Sequence, residues 1–258
     1  MNLQLKRTLT EAAHESGKIL AKNFGGKYKI SSKVVVSNLV TEIDLRSEKK
    51  IISVIRKTFP DHSILTEESG ELIKDSEYQW IIDPIDGTVN YAHGIPLTCV
   101  SIAIEKKGEV IMGVVFNPMG REYFFAEKGK GAFLNGKKIF VSKNSNIEKS
   151  LLVTGFPYNS NTFKPNPADL FKKFLMKNVP IRRLGSAALD LCWTACGRFD
   201  GFWEYNLNAW DVAAGKLILE EAGGKLSNFA GKKYSIYMKE ILATNGKIHK
   251  NMLGVINS

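Results

Sequence analysis

The sequence predicts an α+β chain in which two helices and an antiparallel meander precede a run of alternating strands and helices. Three observations carry this reading: apolar residues recur at helical spacing over 3–24 and 41–59, short strand-like segments joined by Gly-containing turns fill 98–126, and strand and helix patterns alternate after about residue 150. The change of pattern divides the chain into an N-terminal α+β half, 1–148, and a C-terminal α/β half, 149–258, within one compact unit.

In 3–24, Leu5, Leu9, Ala12, Ala13, Ile19 and Leu20 form one apolar face, and Gly25-Gly26 stops the helix. In 41–59, Leu45, Ile51, Ile52, Ile55 and Phe59 are expected to face inward, and Pro60 ends the helix. Residues 63–66 and 79–82 read as short apolar strands that run straight into carboxylates. Strands over 98–105, 110–117 and 122–126 are joined by turns at Lys107-Gly108 and Pro118-Met119-Gly120. There follow a strand over 151–154, helices over 168–177 and 186–197, a strand over 201–205, a helix over 211–222, a strand over 241–244 and a last short helix.

Composition excludes several classes of function. With 258 residues, 44% of them hydrophobic, the chain is an ordinary globular one that can bury a sizeable core. Its longest apolar runs, such as 110–116, fall far short of the roughly 18 residues that a membrane-spanning helix requires. Lys6, Arg7, Glu11, His14 and Glu15 occupy the region where a signal peptide is apolar, so a cytoplasmic protein is expected. Cys99, Cys192 and Cys196 form no C-x-x-C pair and read as reduced core thiols rather than zinc ligands. The net charge of +10 comes largely from scattered lysines with no arginine-rich arm, so nucleic acid is not the expected partner. A positive field of this kind attracts anionic metabolites, phosphate esters among them.

The most informative stretch is Trp80-Ile81-Ile82-Asp83-Pro84-Ile85-Asp86-Gly87-Thr88. Its apolar residues make a buried strand; Pro84 is expected to end it and to hold Asp83 extended at its carboxyl end. Asp86-Gly87-Thr88 then has the chemistry of a helix start: a capping carboxylate, a small residue that lets a ligand approach, and a hydroxyl. Glu67-Glu68-Ser69 closes another strand, and Trp210-Asp211 opens a long helix that Gly223-Gly224 terminates. Each feature alone has an ordinary explanation as a turn, a helix cap or a solvated loop acid. Together, Glu67, Asp83, Asp86 and Asp211 are hard oxygen donors at the ends of elements, a pattern suited to Mg²⁺ ions bridged by a shared carboxylate.

Glu67-Glu68-Ser69, Asp83-Pro84-Ile85-Asp86-Gly87-Thr88 and Trp210-Asp211-Val212-Ala213-Ala214-Gly215 resemble, in order and spacing, the three signature motifs of the inositol monophosphatase family of Mg²⁺-dependent, lithium-sensitive phosphatases. The resemblance extends through Leu39-Val40-Thr41-Glu42-Ile43-Asp44, Gly185-Ser186-Ala187-Ala188 and Gly201-Phe202-Trp203-Glu204, and so covers nearly the whole chain. One departure is Thr66, where many relatives have Gly.

The resemblance implies a layered α/β/α/β/α sandwich of the inositol monophosphatase and fructose-1,6-bisphosphatase type, a homodimer, and two to three Mg²⁺ ions per site. It implies that Glu67, Asp83 and the Ile85 carbonyl hold a first ion, that Asp83, Asp86 and Asp211 hold a second, and that a third lies near Glu67. It implies that Thr88, hydrogen-bonded to Asp44, orients or deprotonates the attacking water with help from Glu67. Asp86, Gly87, Thr88, Gly185, Ser186 and Ala187 are implied beside the substrate, with Glu204 on its ring hydroxyls; without the family, Glu204 reads equally as a solubilising acid on an edge strand.

The expected reaction is hydrolysis of inositol monophosphate to inositol and phosphate. Fructose 1,6-bisphosphate, histidinol phosphate or a nucleotide 3′-phosphate are alternative esters on the same fold. A nucleic-acid-binding protein with a vestigial site is a further alternative, opposed by the presence of every acid that catalysis needs. An aspartyl-nucleophile phosphatase of the haloacid dehalogenase type places its two aspartates two apart, whereas Asp83 and Asp86 are three apart with Pro84 between them, which argues against it.

Overall fold

The computed structural model describes residues 2–32, 39–157, 160–163 and 166–258. Helix α1 (Asn2–Asn23) leads through a two-stranded antiparallel ribbon, β1 (Ile30–Ser32) and β2 (Leu39–Thr41), into α2 (Glu42–Thr58). Next come β3 (Ser63–Thr66), β4 (Gly70–Leu72), β5 (Tyr78–Asp86), the short helix α3 (Thr88–Ala92), β6 (Cys99–Lys106), β7 (Glu109–Asn117), β8 (Glu122–Glu127), β9 (Gly131–Leu134) and β10 (Lys137–Lys138). The remainder is β11 (Leu152–Thr154), α4 (Pro167–Leu175), β12 (Ile181–Arg182), α5 (Ala187–Ala195), β13 (Gly201–Tyr205), α6 (Ala209–Glu221), β14 (Lys225–Ser227), β15 (Glu240–Thr244) and α7 (His249–Ile256).

An eight-stranded sheet of order β10-β9-β8-β7-β6-β5-β3-β4 is antiparallel except where β3 runs beside β5, and a five-stranded sheet has order β12-β11-β13-β15-β14. Helices α1 and α2 pack on β5, β6 and β7. Helices α5 and α6 lie between the two sheets, with α6 against β5 to β9 and α5 against β13 and β15; α7 packs on β15 and on α4. The result is the expected α/β/α/β/α layering, because each sheet buries apolar side chains on both of its faces. No helix among the described residues is long and apolar enough to cross a membrane.

The meander stands as read, with Lys107 and Gly108 at φ of 51° and 80° in the first turn, and β9 and β10 extend it beyond the predicted strands. Two local expectations need correction. Leu45 is 54% exposed, because the inner stripe of α2 runs through Ile43, Ser47, Ile51 and Ile55 and position 45 lies on the far side of the helix. Pro84 does not end its strand: β5 continues to Asp86 through an irregularity between Asp83 and Asp86, where a residue without an N–H costs the ladder nothing.

The buried stripe of α2 also carries polar groups. Ser47 Oγ shares a 2.6 Å hydrogen bond with Ser16 Oγ of α1, and Ser47 is also within 3.0 Å of the Pro84 carbonyl. Glu48, 3% exposed, accepts from Thr66 Oγ1 at 2.6 Å, from the Glu68 N–H at 3.0 Å and from Ser69 Oγ. One side chain of α2 thus holds the turn that follows β3. Replacing it strips three donors of their acceptor, so Glu48→Ala should lower unfolding free energy by about 1–3 kcal/mol in a denaturant titration. A midpoint equal to that of the unaltered chain would remove Glu48 from this role.

Candidate active site

The carboxyl end of β5 and the amino ends of α5 and α6 open on a common cavity of about 420 Å³. Its wall includes Glu67, Asp83, Ile85, Asp86, Gly87, Thr88, Gly185, Ser186, Ala187, Glu204 and Asp211, so it gathers every candidate metal, catalytic and substrate residue named above except Asp44, which is hydrogen-bonded to Thr88. Arg183 faces the same cavity.

Four of the acids, Asp83, Asp86, Asp211 and Asp44, are held by a backbone N–H close to a turn or helix end. Asp83 Oδ1 accepts from the Ile85 N–H at 2.9 Å. Asp86 was expected to cap the helix after it, yet Gly87 occupies that N-cap position, and Asp86 Oδ2 instead accepts from Ser186 Oγ at 2.6 Å and the Ala188 N–H at 2.8 Å. Asp86 therefore caps α5, a hundred residues further along the chain, where the positive end of the helix favours its charge. Asp211 Oδ2 accepts from the Asn208 N–H at 2.6 Å, and Asp44 Oδ2 accepts from the Thr41 N–H at 2.8 Å and from Thr41 Oγ1 at 2.6 Å. Thr88 Oγ1 lies 3.1 Å from Asp44 Oδ1 and 2.9 Å from the Ile85 carbonyl, so its single hydrogen can serve either acceptor.

The turn between Asp86 and Thr88 requires glycine. Gly87 has φ of +86°, and a side chain there would come within 2.8 Å of the Leu97 carbonyl and 3.2 Å of the Gly185 carbonyl. Asn90 ties the same turn to the entrance of α5 by donating to the carbonyls of Leu97 at 2.8 Å and Leu184 at 2.7 Å.

Burial and mutual repulsion shape the electrostatics. Burial, then the charges of Glu67, Asp86, Asp211 and Asp44, hold the Asp83 carboxyl well above its usual range. Burial pushes Asp86 up to about 6 against the opposing bonds from Ser186 and Ala188, and Asp44 up to about 6 against those from Thr41. Asp211 is raised well above the usual range by burial, with Glu67 and Asp86 adding to it and the Asn208 N–H and Lys239 opposing it. Glu204 is raised by burial and by Asp211 and Asp86, with Arg183 opposing.

This donor set fits a hard divalent cation: it is all oxygen, and a cation would relieve the repulsion among the acids. Among the described residues no three Asp, Glu, His or Cys side chains stand together so as to hold a metal ion; Asp83, Asp86 and Asp211 accept instead from N–H and O–H donors.

Three features escape a reading of the sequence alone. Glu48 supports the Glu67 turn through Thr66, which gives the departure from Gly at that position a use; its only sequence signal is a charge on the apolar face of a helix. Glu204 sits on β13, between β11 and β15 in the interior of its sheet, and is 9% exposed, so the edge-strand explanation falls. Asp190 on α5 is 1% exposed, and its Oδ1 has no hydrogen-bond partner.

Comparison with known proteins gives the family of the chain. The profile described as the inositol monophosphatase family matches residues 1–257. A Haemophilus influenzae protein named Nus factor SuhB is 43% identical over 248 residues, covering 95% of this chain and 92% of that protein. An inositol-1-monophosphatase from Synechocystis is 43% identical over 244 residues, covering 94% of this chain and 85% of that one. The crystal structure of extragenic suppressor protein suhB from Bartonella henselae superposes with a TM-score of 0.93 at 36% identity and covers 98% of both chains. In sequence over its full span and in the layering of its two sheets, the chain belongs to the inositol monophosphatase family.

Proposed function

We propose that the protein is a Mg²⁺-dependent phosphomonoesterase that hydrolyses inositol monophosphate to inositol and phosphate. The observation that carries this reading is the shared cavity, where Glu67, Asp83, Asp86 and Asp211 face the Gly87-Thr88 turn and the amino end of α5. Acids suited to cations stand beside amides suited to a phosphate. In this reading Glu67, Asp83 and the Ile85 carbonyl hold one ion, and Asp83, Asp86 and Asp211 hold another, with a third site near Glu67. Bound there, the ions supply Lewis acidity, which acidifies water and neutralises charge on the phosphoryl and leaving oxygens.

The chain's own groups do the rest. Gly87, Thr88, Gly185, Ser186 and Ala187 receive the phosphate, and Asp86 fixes that surface by holding Ser186 and Ala188. Thr88 Oγ1 gives its hydrogen to Asp44 Oδ1, which frees an oxygen lone pair to orient the attacking water, and Glu67 assists its deprotonation. Burial raises the Asp44 carboxyl to about 6, which suits it to take up a proton near neutrality through Thr88. Glu204 accepts hydrogen bonds from hydroxyls of the alcohol.

Similar proteins carry the names Nus factor and inositol-1-monophosphatase, so the alcohol is the part of this reading that experiment must supply. Phosphate release should be measured from inositol 1-phosphate, fructose 1,6-bisphosphate, histidinol phosphate and adenosine 3′,5′-bisphosphate, with Mg²⁺ and with chelator. Inositol 1-phosphate is expected to be preferred, and chelation to abolish release. Asp83→Asn removes the charge shared by both ions and should lower kcat by about a hundredfold or more; normal turnover would overturn the two-ion scheme. Thr88→Ala should lower kcat by about 10²-fold while KM changes little. Unchanged kcat would take water orientation away from Thr88.

A further inference from the structure

We propose that Gly155 sets the alcohol specificity of the site, because only a residue without a side chain leaves room for the Glu204 carboxylate to lie against the backbone and present itself to a polyhydroxy alcohol. The proposal rests on the phosphatase reading above and extends it to a residue that the sequence motifs do not include.

Gly155 directly follows β11, which runs parallel to β13 with Val153 opposite Phe202 and Thr154 opposite Trp203. The next step of that register sets Gly155 beside Glu204, and both residues line the cavity. The backbone is fixed here by Thr154 Oγ1, which lies 2.7 Å from the Trp203 carbonyl and 3.3 Å from that of Gly155. A Cβ on Gly155 would overlap Oε1, Oε2 and Cδ of Glu204, and these are the three atoms it would meet most closely. Gly155 is not among the glycines of positive φ, so its backbone would accept a side chain and the conflict is one of space alone.

The consequence is chemical. A carboxyl group offers two oxygens side by side and suits neighbouring hydroxyls on one alcohol. A methyl at position 155 leaves the phosphate surface intact but displaces those oxygens, and a site whose acceptors no longer meet their donors loses discrimination for hydroxylated substrates. Contacts to such hydroxyls are made equally in the bound substrate and in the transition state, so their loss raises KM rather than lowering kcat.

The test uses the full chain with Mg²⁺ and two esters: the best polyhydroxy substrate of the panel above, and p-nitrophenyl phosphate, whose alcohol carries no further hydroxyl. Gly155→Ala should raise KM for the polyhydroxy ester about tenfold, with kcat for that ester and both constants for p-nitrophenyl phosphate within about twofold of the unaltered chain. The double variant Gly155→Ala, Glu204→Ala should match Glu204→Ala alone, since the methyl then has nothing to displace. Equal effects on the two esters, no effect on either, or additive effects of the two substitutions would overturn the proposal. If Gly155→Ala alone does not fold, folding of the double variant supports the contact with Glu204, and its failure to fold overturns it. An unaltered chain that hydrolyses neither ester would instead refute the phosphatase reading and, with it, this extension.

Discussion

Asp83 and Asp86 are 2% and 8% exposed, and Glu67, Asp211 and Asp44 are close enough for their charges to be felt at Asp83. Desolvation and like-charge repulsion both work against such a grouping. The chain offsets them with backbone dipoles: Ile85 donates to Asp83, Ala188 to Asp86, Asn208 to Asp211 and Thr41 to Asp44. Three of those donors lie at the first turns of α5, α6 and α2, where N–H groups have no partner within the helix. The need to supply such donors explains why helix amino ends converge on the end of β5.

That convergence ties distant parts of the chain together. The acids of β5 come from the eight-stranded sheet, Glu204 comes from the interior of the five-stranded sheet, and α5 and α6 lie between the two. Helix α6 packs on five strands of the larger sheet while its first turn carries Asp211. Gly155 and Glu204 meet beside one another at the end of β11, on the cavity side of the smaller sheet.

Much of this was legible from local pattern. The apolar stripe of α1 reproduces its buried face almost residue for residue, and the meander follows from alternation and turn chemistry. The acids were visible because each stood at the end of an element, Glu67 and Asp83 where apolar strands close and Asp86 and Asp211 at helix starts. What stayed hidden was set by tertiary partners. Asp86 and Thr88 look like one helix start, but Asp86 serves a helix that begins at Ala187. Leu45 faces out while Glu48 faces in, since a buried charge with three donors can occupy an inner position that composition would assign to an aliphatic residue. Pro84 reads as a strand end only if the strand is assumed regular, and Glu204 as an edge acid only while the order of strands is unknown.

The irregularity at Pro84 settles a question of parity. In an unbroken strand, residues three apart point to opposite faces, so Asp83 and Asp86 could not share a ligand. Here Asp83 pairs with Ser101 and Asp86 with Cys99, so an advance of three residues on β5 is matched by two on β6. The extra residue restores the phase and turns both carboxylates to the same side. The odd spacing of the two aspartates is thus itself a record of the bulge: with an even spacing a flat strand would suffice, and with this one the chain must carry one residue that the ladder does not count.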